Sequence, residues 1–148
     1  MKYKTPRCAV RALILNEDRV LLVNAYPGKK SNLWCAPGGG VVPGQSLPEN
    51  LIRELFEETG LTIDVGTPAL INEFHDPISG FHQIEVFFHC SIVAGRIDPN
   101  WQDPGHIVTR RRFFSRSELA TTRYKPSTLA KAAWGQACIY DALENVIL

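Results

Sequence analysis

Residues Gly39 to Leu61 read GGVVPGQSLPENLIRELFEETGL, a glycine-rich turn followed at once by helix-forming sequence. Ser46 is a good N-cap residue, and Glu49 three positions later completes a capping box. Pro48 lies in the first turn, where no intrahelical N–H is required. Gly60 suits a C′ position with positive φ. These signals predict a helix from Leu47 to Thr59. At about 100° per residue, Leu51, Ile52, Leu55 and Phe56 share one arc, expected to pack on a sheet. Arg53, Glu54, Glu57 and Glu58 share the other.

The second arc crowds carboxylates at i, i+3 and i+4, where like charges repel. They also lie near the helix C-terminus, whose dipole disfavours anions. Two readings follow, a solvated acidic face or a metal site. Hard divalent cations such as Mg²⁺ prefer carboxylate and carbonyl oxygens. The turn Pro37 to Gly40 adds backbone that can approach a ligand closely.

The order Gly39, five residues, Gln45, seven residues, then Arg53-Glu54-Leu55-Phe56-Glu57-Glu58-Thr59-Gly60-Leu61 resembles the Nudix box. One specified position departs, with Gln45 in place of the usual Glu. The resemblance implies an α/β fold, a Nudix-like α/β/α sandwich with a mixed β-sheet between helices. It implies a hydrolase that cleaves nucleoside diphosphates linked to another moiety, using Mg²⁺ or Mn²⁺. It also implies roles for particular residues. Glu57 and Glu58 are metal ligands, and Glu54 is a third ligand or helps to polarise the water. The Gly38 carbonyl completes the metal shell, and Arg53 fixes the carboxylates by ion pairing. Gln keeps the hydrogen-bonding shape of Glu without its charge, so weakened metal binding with retained activity is expected.

This chemistry suits the charges. Water attacking a diphosphate meets dense negative charge, which divalent metals neutralise. Positioning and electrostatics supply most of the catalysis in phosphoryl transfer.

The 148 residues suit one domain, 1–148, large enough to bury a core. Hydrophobic content of 45% and charged content of 21% point to a globular chain. A net charge of +1 gives no bulk attraction to nucleic acid or membrane. The basic start MKYKTPRCAVRALIL has a short apolar run broken by Arg11 and no small-residue cleavage site, unlike a signal peptide. No stretch is long enough to span a membrane. Cys8, Cys35, Cys90 and Cys138 are far apart, without a C-x-x-C pair. Cys8 and Cys90 sit in apolar runs and read as buried thiols, which points to a reducing, cytoplasmic setting.

Strands are expected at Arg7–Leu15, Arg19–Asn24, Trp34–Ala36, Leu61–Val65, Ala69–Phe74, His82–Val93 and Ile107–Phe114. Ser115 to Leu119 reads as a helical turn. Ser127 is expected to cap a last helix reaching Leu143, which either caps the core or forms a homodimer contact. Helices on both faces of a mixed sheet bury both faces.

Candidates outside the box are sparser. Glu85 alternates with apolar Ile84 and Val86, and His106 lies where family relatives commonly place Glu. Either is a candidate base, His106 through its near-neutral titration. Within Arg110-Arg111-Arg112, alternation sends Arg110 and Arg112 to one face. Arg112 either holds a substrate phosphate or guards an edge strand. Trp101 and Phe81, in or beside loops, are candidates to stack on a base, whereas Trp34 and Phe74 read as core. ADP-ribose-hydrolysing Nudix members often carry a proline about sixteen residues past the box, where Pro77 stands. The substrate expected first is therefore ADP-ribose or a similar nucleotide sugar, a small-molecule nucleotide. The alternatives are a modified nucleoside triphosphate and a nucleotide-binding module without catalysis.

Overall fold

A computed structural model describes residues 5–148. Lys2 and Lys4 of the basic start lie outside the described residues.

The expected helix forms with its expected bounds, α1 at Leu47–Thr59. Ser46 Oγ accepts from the Glu49 amide at 3.2 Å, and Glu49 Oε2 accepts from the Ser46 amide at 2.8 Å. Gly60 ends the helix at φ 74°. The buried stripe differs from the one expected. Leu51 and Leu55 are fully buried, but Ile52 and Phe56 are 41% and 50% exposed. Their places are taken by Asn50 and Thr59, both buried. These polar residues bury without penalty because each is hydrogen-bonded. Thr59 Oγ1 donates to the Leu55 carbonyl, and Asn50 bonds the turn before the helix.

Strand β1 (Arg7–Asn16) is the centre of the sheet. It pairs antiparallel with β2 (Arg19–Asn24) and parallel with β6 (Phe81–Ala94). Strand β5 (Thr62–Asp76) pairs antiparallel with β6. The sequence reading split β5 at Gly66-Thr67-Pro68; the strand instead continues through register shifts around Pro68, as bulges allow. β3 (Trp34–Cys35) and β7 (Arg111–Phe114) both pair with β2. Residues 107–110, expected in that last strand, are loop, because buried side chains take their amides. Asp103 accepts from the Ile107 and Val108 amides, and Asn24 Oδ1 from those of Thr109 and Arg110.

The glycine turn proves to be a strand. β4 (Gly38–Gly40) runs antiparallel to β1, with Gly38 opposite Arg11. At Gly38, φ is +152°, and an added Cβ would sit 1.9 Å from the Val10 carbonyl oxygen. Only glycine lets the two strands approach this closely.

One apolar cluster joins Leu51, Leu55 and Leu61 of the α1 side to Val10, Ala12 and Ile14 of β1. The other joins Leu13, Leu70 and Phe87 of the opposite face to Leu129, Ala132 and Ala133. The sheet is thus covered on both faces, as an α/β/α sandwich requires. A short α2 (Arg116–Leu119) is capped by Ser115.

The last helix is shorter than expected. α3 covers only Leu129–Trp134, and Ser127 does not cap it. Thr128 stands at the N-cap, with its hydroxyl turned to Asp141 at 2.8 Å. Gly135 is extended, and the chain continues as β8 (Ile139–Tyr140) and β9 (Glu144–Asn145) along the edge of β5. No described helix is long and apolar enough to cross a membrane.

Candidate active site

The capped helix, the glycine strand and β1 meet at the carboxylates. Glu58 Oε2 accepts from the Gly38 amide at 3.0 Å. Burial, with Glu54 and Asp103 nearby, pushes the Glu58 carboxyl up to about 8, although Arg11 and the Gly38 amide pull the other way. Glu54 is also raised, chiefly by burial, against the charge of Arg53. Its carboxylate lies over Gly39, where a Cβ would stand 2.5 Å from Oε2. Arg53 Nη1 donates to Glu54 at 3.1 Å and lies 3.5 Å from Glu57, the ion pairing expected of it.

Gln45 does not support this arrangement through its side chain. It is exposed, and its backbone carbonyl accepts from Asn50 Nδ2 at 3.2 Å. Asn50 holds Arg53 instead: its Oδ1 accepts from Arg53 Nη2 at 3.0 Å and from the Val42 amide at 2.8 Å.

Carboxylate and carbonyl oxygens of this kind fit a hard divalent cation. The family resemblance points to Glu54, Glu57, Glu58 and the Gly38 carbonyl as the groups to hold one. Among the described residues no three acidic, His or Cys side chains are grouped closely enough to hold a metal ion as they stand. Glu54 and Glu57 are engaged by Arg53, and Glu58 by the Gly38 amide.

Arg11, which the sequence reading noticed only as a break in an apolar run, is the link to the neighbouring cleft. Its Nε donates to Glu85 Oε2 at 2.5 Å, and its Nη1 to the carbonyls of Ala36 and Gly38, each at 3.2 Å. Burial opposes the Arg11 charge, but Glu85, Cys35 and Glu58 together outweigh it and the pKa is raised. Glu85 is 5% exposed and also accepts from Gln83 Nε2. It faces the cleft, already committed to an ion pair. A signal for Arg11 was available: two arginines, Arg7 and Arg11, fall on the same face of one strand.

The cleft has a volume of about 280 Å³. Arg7, Arg11 and Glu85 line its inner end, and Tyr26, Phe74 and Phe81 its apolar part. The rings of Phe74 and Phe81 lie 5.9 Å apart, tilted by 46°. Phe81 is thus placed in the cleft with Phe74, which was expected in the core.

Three other candidates stand elsewhere. Trp101 packs on Gly60 and edge-on against Phe56 at 5.3 Å, and its Nε1 donates to the Glu57 carbonyl at 2.8 Å. It closes the end of α1 and is not among the residues that line the cleft with Phe74 and Phe81. Arg112 lies 4.5 Å over the Phe114 ring and pairs with Glu118, outside the cleft. Its neighbour Arg111 reaches the site instead, donating to the Glu58 carbonyl at 2.5 Å. His106 stands exposed at φ 56° in a turn that Asp103 holds. Pro77 is at the exposed turn between β5 and β6.

The cysteines are free among the described residues. Cys8, expected to be buried, is exposed, while Cys90 is half-buried. Cys8 shares the phase of the buried Val10, Ala12 and Ile14, but it lies at the exposed start of β1.

An ADP-ribose pyrophosphatase of Methanocaldococcus jannaschii is 27% identical over 95 residues, 64% of this chain and 56% of that protein. Diphosphoinositol polyphosphate phosphohydrolase 3-beta of Bos taurus is 31% identical over 100 residues, 66% of this chain and 56% of that protein. The first curated relatives are matched over between 29% and 56% of their own length. The crystal structure of a UDP-X diphosphatase matches in fold with a TM-score of 0.72 at 23% identity, covering 97% of this chain and 69% of that one. A model of the NUDIX domain matches residues 5–138, most of the sequence, and the chain belongs to the Nudix family.

Proposed function

We propose that this protein hydrolyses the diphosphate linkage of a nucleoside diphosphate derivative, with ADP-ribose or a similar nucleotide sugar as the first substrate to test. The observation that carries the reading is the junction at Gly38. One residue there receives Arg11 on its carbonyl and Glu58 on its amide, so the acidic helix and the cleft adjoin. Names of relatives, an ADP-ribose pyrophosphatase among them, support the same reaction class.

In this reading Glu54, Glu57, Glu58 and the Gly38 carbonyl hold Mg²⁺ or Mn²⁺. The cation supplies neutralisation of the diphosphate charge. Arg53 orients Glu54 and Glu57. Arg7 and Arg11 face the anionic part of the substrate, a task for which the guanidinium fork is well shaped. Glu85 holds Arg11 rather than acting as the base. Four free thiols favour a reducing, cytoplasmic setting.

The test is release of AMP from ADP-ribose with Mg²⁺, run beside a panel of nucleoside triphosphates. Glu57→Gln and Glu58→Gln are expected to lower kcat/KM by on the order of 10²–10³, the loss typical of one charge-stabilising contact. Faster turnover of a modified triphosphate would reassign the substrate. No turnover of any of them would leave a nucleotide-binding module.

A further inference from the structure

One wall of the cleft lies outside the family match. The Nudix model ends at residue 138, yet Glu144, Asn145, Val146 and Ile147 line the cleft. The segment is rooted at Asp141, whose Oδ2 accepts from Asn72 Nδ2 at 3.1 Å and from the Thr128 hydroxyl at 2.8 Å. It then follows β5. Glu144 and Asn145 pair with Phe74 and His75, and the Val146 amide donates to the His75 carbonyl at 2.9 Å. Three side chains hold it from the opposite side, one of them Arg123, whose Nη2 donates to the Leu148 carbonyl. The Tyr26 hydroxyl donates to the Ile147 carbonyl at 2.5 Å, and Lys125 pairs with Glu144 at 3.1 Å. So residues 141–148 cross the mouth of the cleft as a strap, tied to β5 on one side and to two loops on the other.

Arg11 stands at the side of the cleft next to Gly38, and Phe74 is paired beside the strap. Arg7, bonded to the Gln83 that pairs with Phe74, lies between them, and Lys125 stands at the strap. This lining suits a ligand with an anionic middle and a flat aromatic end. We propose that the strap is the specificity element of this chain: it holds the nucleoside end of the substrate against Phe74 and Phe81, and its fit decides which nucleosides are accepted. This rests on the hydrolase reading for the anionic end, but not for the nucleoside end.

The test separates the two. Affinity for AMP is measured by titration calorimetry without metal, on the full chain and on Tyr26→Phe and Val146→Ala. Tyr26→Phe removes only the hydroxyl that holds Ile147, so AMP binding should weaken about fivefold, the size of one net hydrogen bond. Val146→Ala should weaken it similarly. In turnover, KM for ADP-ribose should rise by the same factor with kcat changed less than about twofold, as for an interaction shared by ground and transition states. In the unaltered protein, AMP should slow hydrogen exchange across residues 141–148. AMP affinity unchanged in both variants, or no such protection, overturns the proposal. AMP binding that responds to the strap, in a protein that hydrolyses nothing, overturns the hydrolase reading and leaves the strap standing.

Discussion

Glu58 and Gly38 are joined by a hydrogen bond of 3.0 Å, from the amide of the glycine strand to the carboxylate of the acidic helix. The same glycine has no room for a Cβ. The contact therefore depends on two residues that cannot be varied independently, and on the buried groups that hold each in place.

Asn50 is the first of those groups to test. Asn50→Ala removes the partners of Val42, Arg53, Gln45 and Ser46 at once. It should cost about 2–4 kcal/mol of stability, because buried backbone groups are left unsatisfied. Gln45→Glu, on an exposed side chain, should change stability by less than about 0.5 kcal/mol. Denaturant unfolding measures both. A larger effect of Gln45→Glu on Mg²⁺ affinity than of Asn50→Ala would reverse this assignment.

The raised Glu58 carboxyl gives the metal-free protein a definite pH dependence. Its folded value of about 8 lies above the ordinary 4.5, so the folded chain keeps a proton that the unfolded chain releases. The associated stability is present below pH 4.5 and is lost as pH rises through 8. Thermal melts between pH 5.5 and 8.5 should show this loss, and Glu58→Gln should flatten it. Because a cation must displace that proton, Mg²⁺ should raise Tm more at pH 8.5 than at 5.5. Equal shifts at the two pH values would show that Glu58 is not engaged by the metal.

Most of the helix was legible beforehand because its signals are local. Ser46, Glu49 and Gly60 each act within a few residues, and the bounds followed from them. The glycine strand was not, since three glycines carry no pattern of side chains and pair with β1 only through tertiary closeness. The short α3 was missed for a related reason. Alternating Ile139 and Tyr140 are as compatible with a helix as with a strand until β5 offers an edge. Alternation sets Arg112 apart from Arg111 without saying which one meets α1. The crowding of Glu54, Glu57 and Glu58 was legible from spacing and their proposed role from the family resemblance, whereas Asn50, Arg11 and residues 141–148 act across long separations in sequence.

Trp101 and Phe81 looked equivalent in the sequence, and the structure separates them. Trp101→Ala should lower stability by about 2–3 kcal/mol, through lost packing on Gly60 and Phe56 and a lost hydrogen bond. It should leave AMP affinity unchanged. Phe81→Ala should weaken AMP binding about fivefold or more, the range of one aromatic stack on a base. Calorimetric titration and thermal melts on both variants read the contrast, with Arg112→Ala as a control that should move AMP affinity little.

The thiols should fall into two kinetic classes. Cys8 and Cys138 are exposed. Burial pushes both Cys35 and Cys90 up to about 12, with Glu85 and Glu58 adding to the rise at Cys35. At pH 8 a thiol titrating near 12 is on the order of 10⁻⁴ thiolate, the form that reacts. Ellman's reagent should therefore modify two thiols quickly and two slowly, and Cys8→Ser should remove one fast equivalent. Four equal rates would show that the sheet does not shield Cys35 and Cys90.

Strand β5 is 15 residues long, and β6 covers only one of its two sides. Along the other side, β8 meets Leu70 and Ile71, and β9 meets Phe74 and His75. A long strand with a bare ladder recruits further chains. By lying on the second half of β5, residues 139–146 shield that part of the ladder from pairing with another chain. Any change that loosens this segment to admit a bulkier substrate also uncovers a template for aggregation. Substrate range and solubility are therefore tied together, and variants selected for one should be screened for the other.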